Sequence, residues 1–384
     1  MRALLIVLLV ASANAQNQSS ADLADRIRAA QTAGRCGEAA DLYAQLIAAG
    51  SDSPQIRSNY GVMLHLAGRN RLALEQFHLV LAKDPSLAAA NLFAGLSEID
   101  LDQPAAALPF LERARQADPR QPAPLLALGK AHVALRHYAL ARENYSQAAA
   151  LDPNLADAWY GLGITSRSQA DEMLNRAARQ GDTTAARQPK VQQLLSDALS
   201  ALNRAIALDP ASARTHLLLG ESLADAGKFA DAVAEFQTTL KLDPELTAAA
   251  LGLASQFWKQ HQFDQALPLV QQVLAKSPRD PEANGILADI LQHAGKNAEA
   301  KRHAEIALAG NPDLIETHVV LARLYIAAQQ AGPAIAELKK VIAADPDGSY
   351  HFLLYRAYRL AGDEAAAKQA LQAFQHLRGS TAQP

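Results

Sequence analysis

Eight prolines act as a ruler along this chain. Pro85, Pro119, Pro153, Pro210, Pro244, Pro278, Pro312 and Pro346 are separated by 34, 34, 57, 34, 34, 34 and 34 residues. A fixed interval of this size marks a repeat architecture, in which one supersecondary unit cannot bury its apolar face alone and stacks on its neighbours. Each proline lacks a backbone N–H and pushes the residue before it out of helical geometry, so it ends a helix. The Asp that precedes six of them, as in Asp84, Asp118 and Asp152, suits a turn because its carboxylate accepts from nearby backbone N–H groups.

Between prolines the pattern is that of two helices. A first apolar-periodic segment carries a small residue at its eighth position: Gly61, Gly95, Gly129, Gly163 and Gly220, then Ala254, Ala288 and Ala322. A second carries Ala at the twentieth position of the unit, from Ala39 and Ala73 through Ala334 and Ala367. Small residues there let antiparallel helices approach to about 8–10 Å between axes. Larger residues at position twenty-four (Tyr43, Phe77, Tyr145, Phe236) fill the wider part of each pair.

Trp159, Leu162, Gly163, Ala198, Ala205 and Pro210 in the central unit, with comparable sets in the others, resemble the tetratricopeptide repeat (TPR) pattern. The resemblance covers nearly the whole chain. It implies an all-α fold, a right-handed α-solenoid of about ten helix-turn-helix repeats. These start near residues 20, 54, 88, 122, 156, 213, 247, 281, 315 and 348, the last ending near 378, with a tail at 379–384. In such an array each repeat packs only on its neighbours. Aromatics are 5% and hydrophobics 49% of the chain, so the apolar content is mostly Ala and Leu, which suits thin helix-on-helix packing. A net charge of −3, without a run of Lys or Arg interleaved with aromatics, gives no signature of nucleic-acid binding.

The N-terminus reads Met1-Arg2, an apolar run from Ala3 to Ala11, then Ser12-Ala13-Asn14-Ala15. A basic start, a short apolar core and an Ala-x-Ala end are the parts of a secretory signal peptide. The run is too short for the ~20 residues that span a bilayer. Cleavage is expected after Ala15, giving an exported protein, periplasmic or secreted. Cys36 is the single cysteine, so an internal disulfide is excluded. It reads as a turn residue of the first repeat, with a bridge to another chain as the alternative.

The fifth repeat is irregular, its interval of 57 being 23 longer than the period. Ser166–Arg179 and Lys190–Leu208 both look helical, with a break at Gln180-Gly181-Asp182-Thr183-Thr184 and Gln188-Pro189 opening the second helix. The expectation is an over-long helical hairpin, serving either as a partner contact or as a tolerated insertion. In the last repeat Tyr355 replaces the small eighth residue, and Arg356, Arg359, Lys368, His376 and Arg378 make the end polar, as a cap requires.

Residues for catalysis are poorly represented. There is no His-Glu-x-x-His, and His132 with His137 has no metal spacing. His216 and His318 occupy the fourth position of their repeats, where the pattern has Trp, which points to packing. Gly161-Leu162-Gly163 is a broken dinucleotide fingerprint set inside a helix rather than after a strand. No P-loop or Gly-x-Ser-x-Gly elbow occurs. The expectation is a non-enzyme with no metal or cofactor.

The resemblance implies that positions 2, 5, 9 and 12 of each first helix look into a concave groove. In repeats three to five these include Leu92, Leu96, Ile99, Leu126 and Val133, an apolar strip with Lys130, Tyr160 and Arg167 at its margin. These eight are the expected partner-binding residues, for a helix or extended peptide docked in the groove. The alternative is that some of the Leu side chains pack between neighbouring first helices. Further along, the same positions carry Arg214, Leu217, Glu221, Trp258, Glu282, Asp289, Glu316 and Arg323. The Lys/Asn/Arg clamp by which some TPR modules hold a C-terminal carboxylate is absent: Asn59 lacks basic partners in the adjoining repeats. The sequence therefore reads as a protein-interaction scaffold. An accessory subunit of an envelope polysaccharide or outer-membrane assembly machine is the alternative, and a TPR-like hydrolase or transferase a third. The mature chain is expected to begin at Gln16. Intact-mass analysis of protein recovered from cells checks this, and a chain that retains Met1 would refute it.

Overall fold

The computed structural model describes residues 21–179, 188–345 and 347–381. The expected signal peptide (1–15) and the break at 180–184 lie outside the described residues. Every regular element described is helical, and contacts divide the chain into two units, up to Pro210 and from Ala211 onward.

In the first unit, helices pair as hairpins: α1 (21–32) with α2 (Cys36–Ala48), α3 (Pro54–Leu66) with α4 (Asn70–Leu81), and α5 (Ala88–Asp100) with α6 (Pro104–Ala117). α7 (Pro122–Ala134) with α8 (Tyr138–Leu151) and α9 (Ala156–Arg179) with α10 (Pro189–Leu208) complete it. The second unit holds α11 (Ala213–Asp225) with α12 (Phe229–Leu242) and α13 (Thr247–Lys259) with α14 (Phe263–Lys276). It continues with α15 (Pro281–His293) and α16 (Asn297–Gly310), α17 (Ile315–Ala327) and α18 (Ala331–Val341), and α19 (Ser349–Ala361) and α20 (Glu364–Thr381). α20 runs on to Thr381, into the stretch expected to be a tail.

Local chemistry sets these boundaries. Ser53 and Asp280 cap α3 and α15 by accepting from Ile56 N (3.2 Å) and Ala283 N (2.8 Å), each just before a proline that needs no acceptor of its own. The turn inside the hairpins carries a left-handed residue, Gly in Gly34, Gly68, Gly227, Gly295 and Gly362 but a side chain in Asp102, Arg136, His261 and Gln329. That conformation costs a non-glycine residue about 1–2 kcal/mol. The bonds it allows offset the cost, because the next N–H returns to a carbonyl five residues back, as in His137 N to His132 O (2.8 Å) and Gln330 N to Tyr325 O (2.8 Å). In repeat five no such turn interrupts the first helix, so α9 runs unbroken for 24 residues and α10 for 20. Ala170, Val191, Leu194 and Leu195, with Met173 and Leu174, form a separate apolar cluster that supports the extension.

Position eight meets position twenty-four within each hairpin. A Cβ built on Gly61 would lie 2.6 Å from the Phe77 ring, and one on Gly129 would lie 2.7 Å from Tyr145. Gly220 faces Phe236 in the same way, while Gly95 and Gly163 face Leu111 and Leu202. Where position eight is Ala (254, 288, 322), position twenty-four shrinks to Val270 and Ala304 or holds Leu338, and all three are fully buried. Two rings also reach the next repeat: Tyr145 lies against Gly161, and Phe236 lies 2.7 Å from a Cβ built on Gly252. Gly161-Leu162-Gly163 is thus explained by packing on both sides of α9.

Position four of the first helix serves the inter-repeat turn. Asn91, Trp159, Asn284 and His318 each point a side-chain nitrogen at the carbonyl of the proline six residues earlier, at 2.8, 3.0, 3.1 and 2.9 Å. That carbonyl follows a helix end and has no helical partner, so an N–H donor satisfies it.

Within each unit, successive first helices also touch: α3 with α5, α5 with α7, α7 with α9, and α11 with α13 on to α17 with α19. The second helices of successive repeats do not pack on one another to that extent. Closer packing on the first-helix side makes that side concave within each unit. Removing the ring sandwiched between Gly220 and Gly252 should leave an uncollapsed void, so Phe236→Ala is expected to cost about 3–5 kcal/mol in urea unfolding. A loss below ~1 kcal/mol would show that the ring is not the filler of that contact.

Candidate functional site: the first-helix groove

The expected strip of the first unit is half-covered. Leu92, Leu96 and Ile99 on α5 are partly buried and pack on a cluster of Ala107, Leu111, Ala127, Leu128 and Ala131 from α6 and α7. Leu126 packs on Leu125, Ala148, Ala149 and Ala158, and Val133 is half-buried. Much of this apolar surface therefore lies between neighbouring helices rather than facing solvent. Lys130 stands exposed on the face, its Nζ 3.7 Å from Asp100 Oδ1. Tyr160 and Arg167 are half-buried on α9, both engaged by other groups.

The second unit is more open. First helices α13, α15, α17 and α19 frame two adjoining cavities of about 440 and 430 Å³ that share Trp258, Lys259 and Glu316. Trp258 comes from position twelve of its repeat, and Glu282 and Glu316 from position two. Asp289 and Arg323 come from position nine. Asp289, only 6% exposed, organises the floor of the smaller cavity. Its carboxylate accepts from Trp258 Nε1 (2.8 Å) and Arg323 (3.4 Å), and His293 Nδ1 lies 2.9 Å from its backbone oxygen. The indole is thus fixed edge-on, with its ring forming a wall of both cavities.

The larger cavity is walled by Trp258, Ile286, Val320 and Tyr350 and rimmed by Lys259, Glu282 and Glu316. Tyr350, from position three of the last repeat, donates to Glu316 Oε1 at 2.9 Å. Burial, then that hydrogen bond to a carboxylate, push its hydroxyl well above the ordinary phenol value. The Glu282 carboxyl is pushed up by burial and by repulsion from Asp280, partly offset by Lys259 and Ser255. Its surface is open to water, yet it sits in a concave wall whose low-dielectric atoms crowd it. The family resemblance implied that Trp258, Glu282, Asp289, Glu316 and Arg323 look into this face. It missed Gly285, Ile286, Val320 and Tyr350, whose part depends on how adjacent helices are spaced.

The arrangement suits binding better than bond chemistry. His216 and His318 sit 2.6 Å from Glu235 and Glu337, a base-and-orienter geometry. In His318, however, the other ring nitrogen is committed to Pro312 O, which leaves none to take a proton from a substrate. Burial alone would raise Glu337, but hydrogen bonds from Lys340 and His318 outweigh it and hold the carboxyl below its ordinary value. His132 and His137 lie 5.7 Å apart, and no group of three metal-ligating residues occurs among the described residues. No described helix is long and apolar enough to cross a membrane.

The comparisons with known proteins agree with this architecture. Two sequence models of the tetratricopeptide repeat match residues 25–86, 126–171 and 191–247, and 257–313 and 293–355, together well over half the chain. The chain belongs to the tetratricopeptide repeat family. It is similar to the TPR repeat-containing protein YpiA of Bacillus subtilis, 24% identical over 299 residues, which are 74% of this chain and 70% of that protein. Among solved structures it resembles PilF of Pseudomonas aeruginosa (TM-score 0.51, 18% identity), covering 62% of this chain and 97% of that one. A thermophilic TPR protein of Thermus thermophilus is similar over 53% of this chain and 99% of its own, at 24% identity and a TM-score of 0.42. Members of the family generally serve as protein-interaction scaffolds for protein or peptide partners and are typically non-catalytic.

A carboxyl raised by burial disfavours folding when ionised. Glu282→Gln should therefore raise the unfolding temperature at neutral pH. The gain should shrink as pH falls through the raised folded-state value, where wild type binds the proton in the folded state first. Thermal scans from pH 7 down to 4 check this, and a variant less stable than wild type at pH 7 would contradict it.

Proposed function

We propose that this protein is a non-catalytic scaffold that binds a partner peptide or helix along the groove face of its first helices. The observation that supports this reading is the pair of adjoining cavities on α13–α19. They present an indole, a phenol ring and aliphatic walls beside charged rims, the mixture that fixes a peptide by apolar burial and orients it by polar contacts. In the first unit the groove face carries Leu92, Leu96, Ile99, Leu126, Lys130, Val133, Tyr160 and Arg167, whose partly exposed edges offer a docking surface of their own. A wall held by the Trp258–Asp289–Arg323 bonds is preformed, so a partner loses little free energy in ordering its receptor.

Export completes the proposal. Residues Met1 to Ala15 have the parts of a signal peptide, which would deliver the scaffold to the periplasm or the medium. That feature also favours the second reading, an accessory subunit holding an enzyme in an envelope polysaccharide or outer-membrane assembly machine.

Cross-linking in living cells with an amine-reactive reagent, followed by mass spectrometry, tests the scaffold. The expected result is one dominant foreign protein bridged to Lys130, Lys190 or Lys259. Self-links only, or a scatter of unrelated proteins, would overturn the reading.

A further inference from the structure

The larger cavity exists because of one residue type. Position five of the first helix is Leu92, Leu126, Tyr160, Leu217 and Leu251 in other repeats, but Gly285 in repeat eight. A Cβ there would lie 2.7 Å from Thr317 Oγ1, so the missing side chain both opens the groove and lets α17 approach. Thr317 is 3% exposed and lines the cavity.

The charge around the cavity is one-sided. From α15 and the turn before it come Glu282 and Asp280; from α17 and its preceding turn come Glu316 and Asp313. Asp345 and Asp347, before α19, act on Tyr350 from the far side. Against these stands Lys259 of α13, which has no carboxylate within ion-pair distance among the described residues. Asp280 is committed to capping α15, Asp345 to His351 and Asp347 to Ser349 N, which leaves Glu282, Glu316 and Asp313 as the carboxylates that line the opening. The wall between them is the Trp258 ring, Ile286 and Val320.

We propose that this cavity takes a basic side chain, arginine or lysine, from a bound partner segment. Its aliphatic stem lies against Trp258, Ile286 and Val320, and its cationic head between Glu282 and Glu316. The occupant is a polypeptide because the space continues past Trp258 and Lys259 into the second cavity, farther than one side chain reaches. Cation recognition here combines charge pairing with an aromatic face, and both gain strength in a partly desolvated wall. This inference rests on the groove reading above and adds to it the chemistry of the anchor.

The test uses the full chain and a random peptide library displayed on phage. Recovered peptides are expected to share a basic residue next to an apolar one. A synthetic winner should bind the Glu282→Gln/Glu316→Gln protein about tenfold or more weaker than wild type. The same peptide with norleucine in place of its basic residue should bind both proteins alike. Both carboxylates are exposed, so the carboxamides leave packing intact; far-UV circular dichroism verifies this, and Trp258→Ala gives an independent loss of binding. Peptides that lack a basic residue, or that bind the double variant as tightly as wild type, overturn the cation site and leave the scaffold standing. Recovery of no peptide at all overturns both.

Discussion

The structure depends on a contact between nothing and something: a hydrogen at position eight against a bulky side chain at position twenty-four. Phe77, Tyr145 and Phe236 can lie flat between their helices only because Gly61, Gly129 and Gly220 carry no Cβ. Where the small residue grows to Ala, its partner is no longer a ring, as in Ala254 with Val270 and Ala288 with Ala304. Packing at native density tolerates neither overlap nor a gap of one methylene, so the two positions constrain each other and with them the spacing of each hairpin. Where the ring also meets Gly161 or Gly252 of the next repeat, one side chain couples two hairpins.

Backbone polar groups then decide where each helix ends. The prolyl carbonyl after each second helix has no acceptor role inside a helix, and in four repeats a position-four N–H supplies the missing bond. Trp, Asn and His look unrelated as amino acids, but each places a nitrogen donor at the same point. This accounts for their exchange at one repeat position, and for His318 better than packing does. The hairpin turns follow the same logic, since Arg136 and Gln329 hold a left-handed backbone that glycine would take more readily. The returned hydrogen bonds offset that conformation.

Against this regular frame, the groove of the second unit stands out through its two adjoining cavities. Glu282 is held at a cost to the folded state, and Gln292 keeps a buried oxygen without a hydrogen bond. Groups of this kind weaken a fold, and the first unit holds two more in Glu98 Oε2 and His132 Nδ1. The first-unit strip differs: its Leu residues already lend most of their surface to the stacking of α5 on α7. A surface used for folding has less to offer a partner.

The order of the residues alone determined the repeat, its period, the helix pairs and the over-long hairpin of repeat five. Those features rest on local chemistry that any reader of the chain can apply: proline and capping at helix ends, and a 3.6-residue apolar period within them. The resemblance of that repeat to the tetratricopeptide family implied that Trp258, Glu282, Asp289, Glu316 and Arg323 share the groove face. What only the tertiary structure decided is which part of that face is open. Leu96 and Leu126 share the helical spacing of groove residues, and whether they are covered depends on how closely the next first helix approaches. That distance is set across repeats, by Gly285 against Thr317 and by rings against glycines. No single stretch of sequence contains both sides of those contacts.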